Sequence, residues 1–241
     1  MKTREFILKL ETLLFAPNAN CLGCGDAHGC DGDWLCDKCK AKLSPLYAQA
    51  EKSVNLCAEC GQVFKGGKCF SCGKNEPDTY TAVAAYSYEQ PLVSLIHRFK
   101  YDSAFKTAEW MGGEMTKALD AAGICDFDII VPVPLHKKRM LERGYNQSMV
   151  LAAEIGRRTG CEAKEVLVRN KNNAHQALLS AAERRKMQHI ISAKQGLSGK
   201  KVLLVDDVRA TGTTVAICTA ALKDAGVDKV YIATFAASLK Y

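Results

Sequence analysis

Two groups of residues in this chain have the types and spacing to do chemistry. The first is the run VLLVDDVRATGTT at 202–214. An apolar stretch ends in two acids, a short loop of Thr and Gly follows, and a helical pattern begins. In open parallel sheets, ligands collect at the carboxyl ends of strands. A loop that opens a helix there presents backbone N–H groups and the positive end of the helix dipole, which suits a phosphate. Thr211, Thr213 and Thr214 add hydroxyl donors, and Gly212 lets the backbone come close. Asp206 and Asp207 can accept hydrogen bonds from sugar hydroxyls, provided both turn the same way at the strand end. No Walker lysine follows the glycine and no G-x-G-x-x-G occurs, so the usual nucleotide motifs do not fit. The plainer reading is an acidic strand end before a capped helix.

The second group is eight cysteines: Cys21, Cys24, Cys36 and Cys39, then Cys57, Cys60, Cys69 and Cys72. They read C-x2-C-x11-C-x2-C and C-x2-C-x8-C-x2-C. Two residues between thiols let one tight turn aim both sulfurs at one metal, and a glycine after the second cysteine tolerates the positive φ of that turn. Two such turns complete a tetrahedral S4 site, which selects zinc. Four thiolates leave no open position, so each metal is structural. Redox-active dithiols and an iron–sulfur cluster are the competing readings. Cys30 and His28 are spare donors that could exchange with a ligand of the first site. Cys125, Cys161 and Cys218 sit among apolar or small residues and read as packing groups.

These groups need elements to hold them. The composition changes near residue 78, from cysteine pairs and glycines to alternating strand and helix patterns. We therefore expect an N-terminal helix and double zinc-ribbon domain over 1–78 and an α/β domain over 79–241. Expected strands are 81–89, 128–134, 163–168, 200–207 and 228–238; expected helices are 91–101, 105–123, 147–158 and 213–226. Gly112-Gly113 should weaken the second of those helices. Strands alternating with helices imply a mostly parallel sheet covered on both faces. The polar, basic stretch 169–199 reads as a long functional loop. At the N-terminus, Phe6, Ile7, Leu10, Leu13 and Leu14 fall at helical spacing, but charges interrupt them too often for a signal peptide. No run approaches the ~20 apolar residues of a membrane span. Dense cysteines in a metal-like pattern fit a reducing compartment, so we expect the protein in the cytoplasm.

The net charge of +7 is concentrated. Residues 131–201 carry fifteen basic and five acidic side chains, while the other segments are neutral or acidic. Such a patch implies an anionic ligand: phosphate, pyrophosphate or nucleic acid. Within it, His136, Lys137, Lys138 and Arg139 follow an expected strand end, where the cations would neutralise an anion or form a solvated basic turn. Arg143, Tyr145, Asn146 and Gln147 open the next helix, with capping by Asn146 as the simple reading. Few aromatics interleave with these cations, which suits a small ligand better than a base-stacking groove.

The run 202–214 resembles the phosphoribosyl-pyrophosphate motif of type I phosphoribosyltransferases. The resemblance implies that Asp206 and Asp207 hold the ribose hydroxyls and that Ala210, Thr211, Gly212, Thr213 and Thr214 cradle the 5-phosphate, with magnesium. Paired zinc ribbons, FKY at 99–101 and VPVPLHKKRMLERGYNQS at 131–148 further resemble the ComF family of competence-associated proteins, over nearly the whole chain. That resemblance implies a pyrophosphate loop using backbone N–H groups of Leu135, His136 and Lys137. It also makes Lys100, Arg143, Asn146 and Gln147 site candidates, and lets the loop bearing His175, Gln176, Arg184 and Arg185 close over the diphosphate. Arg209-Ala210 departs from the family's usual Val/Thr pair. Two functions follow from the resemblance: a transferase acting on an unnamed acceptor, or a module that handles single-stranded DNA beside the competence helicase machinery.

Overall fold

The computed structural model describes residues 20–26, 34–49, 52–101, 105–169 and 190–238. The expected N-terminal helix, Cys30, His28 and the loop residues His175, Gln176, Arg184 and Arg185 lie outside them. The chain divides into two compact units, Met1–Leu43 with Glu89–Arg98, and Ser44–Tyr88 with Phe99–Tyr241.

In the smaller unit, a tight turn at Cys21–Asp26 is followed by the helical turn α1 (Asp37–Lys40). A Cβ on Gly23 would lie 2.7 Å from Cβ of Pro91, so the turn sits directly on the chain entering α2 (Leu92–Tyr101). Leu92, Leu95, Ile96 and Phe99 are buried, the i, i+3, i+4, i+7 stripe that makes this sequence a helix.

The larger unit is built on a five-stranded sheet of β1 (Val54–Cys57), β2 (Thr79–Ser87), β3 (Ile129–Pro132), β6 (Lys201–Arg209) and β7 (Lys229–Ala237). Their order is β1-β2-β7-β6-β3, parallel except for β1, which pairs antiparallel with β2. Val202, Leu203, Leu204 and Val205 are all fully buried, as a central strand covered on both faces requires. Val202, Leu204, Val230 and Ile232 share one core with Val215, Cys218 and Leu222 of α6 (Thr213–Asp224). Alternation sends Leu203 and Val205 to the other face, where α3 (Phe105–Ala121) and α5 (Gln147–Thr159) pack together. Gly112-Gly113 does not break α3. A Cβ at Gly112 would lie 2.6 Å from Cβ of Glu154 on α5, so the glycines allow the two helices to approach closely.

Three segments differ from the sequence expectation. The basic turn after β3 is a helix, α4 (Lys137–Arg143), with no buried residue and therefore little periodic signal. The expected strand at 163–168 touches the edge of β3 only through the Ala163–Ile130 bridge, then leaves the main sheet. Its end becomes β4 (Leu167–Arg169), which pairs antiparallel with β5 (Ile191–Ala193) in a separate two-stranded sheet within the stretch expected to be loop.

Candidate functional site

Parallel pairing of β3 with β6, with Pro132 opposite Val205, sets the carboxyl ends of the two strands side by side. Strand β6 continues two residues past the expected end, to Arg209, with Val208 and Arg209 paired to β7. The two acids lie just before this extension, yet both carboxylates meet groups from the same quarter. Ser148 Oγ, at the start of α5, donates to Asp206 Oδ1 at 2.8 Å. Lys100 Nζ, at the end of α2, lies 2.8 Å from Asp207 Oδ2. That ion pair lacks hydrogen-bond alignment, and this buried oxygen has no hydrogen-bond donor among the described residues. Asp206 also accepts the N–H of Asp207 at 2.9 Å. Its carboxyl lies deep enough that burial, followed by the charge of Asp207, raises its pKa to about 7; Ser148 and Lys100 pull the other way. A carboxyl poised near neutrality beside an undersatisfied carboxylate is ready for a ligand that brings hydroxyl donors or a cation.

The loop after β6 leads straight into α6. Gly212 is the N-cap residue, at φ 69°, and no side chain caps the helix. The first backbone N–H groups of α6 therefore lack the usual side-chain acceptor and lie at the positive end of the dipole. Ala210 and Thr211 are exposed, Thr213 and Thr214 half-buried, and Thr211 Oγ1 lies 3.3 Å from Thr213 Oγ1. On the far side of the loop, Gln62 Nε2 donates to the carbonyl of Thr211.

Residues 143–148 and 99–101 come together as a brace. Asn146 caps α5 through Ser148 N–H at 3.1 Å and donates to the carbonyl of Val133 at 3.2 Å, tying in the loop after β3. Gln147 donates to the carbonyl of Lys100 at 3.4 Å and accepts from Arg143 Nη1 at 3.0 Å. Arg143 also lies over the Tyr101 ring, 5.1 Å from its centroid, and Tyr145 donates to the carbonyl of Phe99. Arg143, Asn146 and Gln147 thus hold Lys100 and Ser148 against the two acids. In the neighbouring loop Leu135 and His136 are half-buried, Lys137 is exposed, and His136 Nδ1 accepts Lys138 N–H at 3.1 Å as the N-cap of α4.

The cysteines form two clusters, Cys21-Cys24-Cys36-Cys39 in the smaller unit and Cys57-Cys60-Cys69-Cys72 in the larger. In each, all four sulfurs lie within 4.8 Å of one another. The Sγ separations Cys24–Cys36, Cys57–Cys72 and Cys60–Cys69 are 3.9, 3.8 and 3.7 Å. A tetrahedral site with Zn–S near 2.3 Å requires sulfurs about 3.8 Å apart, so both clusters could hold zinc. Three of the cysteine pairs make the same turn: Cys21, Cys57 and Cys69 each donate N–H five residues ahead, and Gly25, Gly61 and Gly73 donate back to them. Those glycines have φ of 87°, 70° and 76°, as expected for the residue after the second cysteine. The fourth pair, Cys36–Cys39, instead starts α1, so the first cluster joins a turn to a helix and the second joins two turns.

Ser148, just beyond the residues singled out in RGYNQ, and Gly61 and Gln62, whose partners lie some 150 positions away, carry no signal of these contacts in the sequence. Nor does Arg169, whose buried Nε has no hydrogen-bond partner among the described residues. Burial, followed by repulsion from Arg139, lowers its pKa, while Asp206 acts the other way.

The phosphoribosyl transferase domain family matches residues 145–241, which include Ser148, both acids and the loop. Competence protein F of Haemophilus influenzae is 29% identical over 231 residues, which are 89% of this chain and 95% of that protein. DNA utilization protein YhgH of Escherichia coli O157:H7 is 30% identical over 77% of this chain and 82% of its own length. Competence protein ComFC of Bacillus subtilis is 23% identical over 86% of this chain and 89% of its own.

Proposed function

The chain belongs to the ComF family, and from that premise we propose that it binds phosphoribosyl pyrophosphate with magnesium at the end of β6 and serves DNA uptake in the cytoplasm. The observation that carries the ligand is the pairing of half-buried Asp206 and buried Asp207 with a helix start that no side chain caps. In this reading the 5-phosphate takes the N–H groups of Gly212, Thr213 and Thr214. The ribose hydroxyls and magnesium meet Asp206 and Asp207, and the diphosphate lies toward Leu135, His136, Lys137 and Lys100. Magnesium when bound lowers the charge repulsion between acids and diphosphate. The chain's own part is to orient the sugar and neutralise the leaving group, which suits displacement at the anomeric carbon and asks for no strong base. Zinc in each cysteine cluster holds the tight turns in place. The competence and DNA-utilization names of the relatives support the process; single-stranded DNA and the helicase machinery are the partners proposed with it.

Titration calorimetry tests the ligand. Wild type should bind phosphoribosyl pyrophosphate with magnesium, and Asp206→Asn with Asp207→Asn should weaken binding at least about tenfold, the loss of one or two charge-assisted hydrogen bonds. Equal affinity in both proteins refutes the assignment. For the DNA arm, Lys137→Ala with Lys138→Ala and Arg139→Ala should lower the salt-dependence slope of single-strand binding by about 2, at roughly 0.7 for each phosphate no longer neutralised. An unchanged slope means that this helix does not touch the DNA.

A further inference from the structure

The second cysteine cluster and the phosphate loop are physically joined. Gly61, the residue after Cys60, and Gly212, the N-cap of α6, meet backbone to backbone. A Cβ built on Gly61 would lie 2.6 Å from the carbonyl carbon of Gly212, and one built on Gly212 would lie 3.0 Å from Cα of Gly61. Both residues also have positive φ, 70° and 69°, so no L side chain is accepted at either position without strain. Next to this contact, Gln62 Nε2 donates to the carbonyl of Thr211. In a trans peptide the C=O and the following N–H point in opposite directions. Holding the Thr211 carbonyl toward Gln62 therefore turns the N–H of Gly212 away from the cysteine turn.

Gly61 and Gln62 are themselves held by the turn that aims the sulfurs. Gly61 N–H donates to the Cys57 carbonyl at 2.8 Å, and Cys57 N–H donates to the Gln62 carbonyl at 2.9 Å. Cys57 also ends β1, in the main sheet. The turn has almost no hydrocarbon core of its own: Cys57, Cys60 and Cys69 are its buried residues, with Phe64 and Cys72 packed against them. A metal shared by its sulfurs would fix such a turn.

We infer that Gly61 and Gln62 are positioning residues for the phosphate loop, so that metal at Cys57-Cys60-Cys69-Cys72 and a ribose 5-phosphate at Gly212–Thr214 strengthen each other's binding. The inference rests on the proposed ligand reading of that loop. Coupling between sites is reciprocal, so it can be read from either end. The first cluster serves as the comparison, because none of its cysteines belongs to the turn that carries Gly61 and Gln62.

The test uses the full zinc-loaded chain, a colorimetric chelator and ribose 5-phosphate as probe. Ribose 5-phosphate should slow release of one zinc equivalent several-fold and leave the other unaffected. The slowed phase should be the one missing from Cys57→Ser. Gln62→Ala should retain both zinc ions, bind ribose 5-phosphate up to about tenfold more weakly, as loss of one hydrogen bond allows, and show less slowing. Gln62→Glu, which cannot donate to a carbonyl when ionised, should behave like Gln62→Ala. If wild type binds ribose 5-phosphate while zinc release stays unchanged and Gln62→Ala keeps full affinity, the coupling is wrong and the ligand site stands. If wild type does not bind ribose 5-phosphate at all, both readings fall.

Discussion

Asp206 and Asp207 are adjacent in sequence and alike in charge, and the fold must offset their mutual repulsion. It does so by placing Lys100 against Asp207 and Ser148 against Asp206. Burial and the neighbouring carboxylate still leave the Asp206 pKa raised to about 7. A carboxyl raised in this way keeps its proton up to that pH, whereas ribose hydroxyls and magnesium call for the carboxylate. Binding then releases a proton, so affinity for phosphoribosyl pyrophosphate with magnesium should fall as pH drops from about 8 to about 6. Calorimetry across that range should show the decline in wild type and its loss in Asp206→Asn; a flat wild-type profile contradicts the account. Ser148→Ala removes a hydrogen bond that favours the charged form. It should shift the midpoint of the same profile upward by about one pH unit. The acids and the Thr-rich loop were legible because their residue types fall within one short run. Ser148 and Gln62 act on them from distant positions, and no local pattern marks which hydroxyl or amide the fold will bring near.

At the scale of elements, the strands and helices around the site were legible wherever burial imposed a period. β6 and β7 are apolar over most of their length because both faces are covered, and α2 and α5 carry buried stripes. β1 and β5 are three or four residues long and α4 buries nothing, so periodicity had too little to act on. The glycines of α3 show the limit of propensity: they weaken an isolated helix, but here they admit Glu154 and Arg158 of α5. Gly212 is the most constrained position of the loop. Gly212→Ala should destabilise the fold by about 1 kcal/mol for the left-handed backbone alone, and further through collision with Gly61. Urea unfolding should show a lower midpoint, together with weaker ribose 5-phosphate binding. A variant as stable and as tight-binding as wild type would mean that the loop and the cysteine turn do not touch.

For the whole molecule, the spacing of the cysteines made two four-cysteine clusters that could hold metal legible, but not their different construction or the second cluster's place in the larger unit with the sheet. That placement depends on β1, whose last residue is Cys57. Elemental analysis of the purified chain should find about two zinc ions, and Cys57→Ser with Cys60→Ser about one. One or none in wild type would contradict paired zinc sites. The excess of basic residues over 131–201 is read from the sequence alone, and no helix among the described residues is long and apolar enough to cross a membrane. Charge alone does not separate a diphosphate from a DNA backbone, since both are polyanions. The direct test is a crystal structure of the chain soaked with phosphoribosyl pyrophosphate and magnesium. The account predicts density with the 5-phosphate on the N–H groups of Gly212, Thr213 and Thr214 and the ribose hydroxyls on Asp206 and Asp207. An empty loop at saturating ligand, or density elsewhere in the molecule, would contradict it.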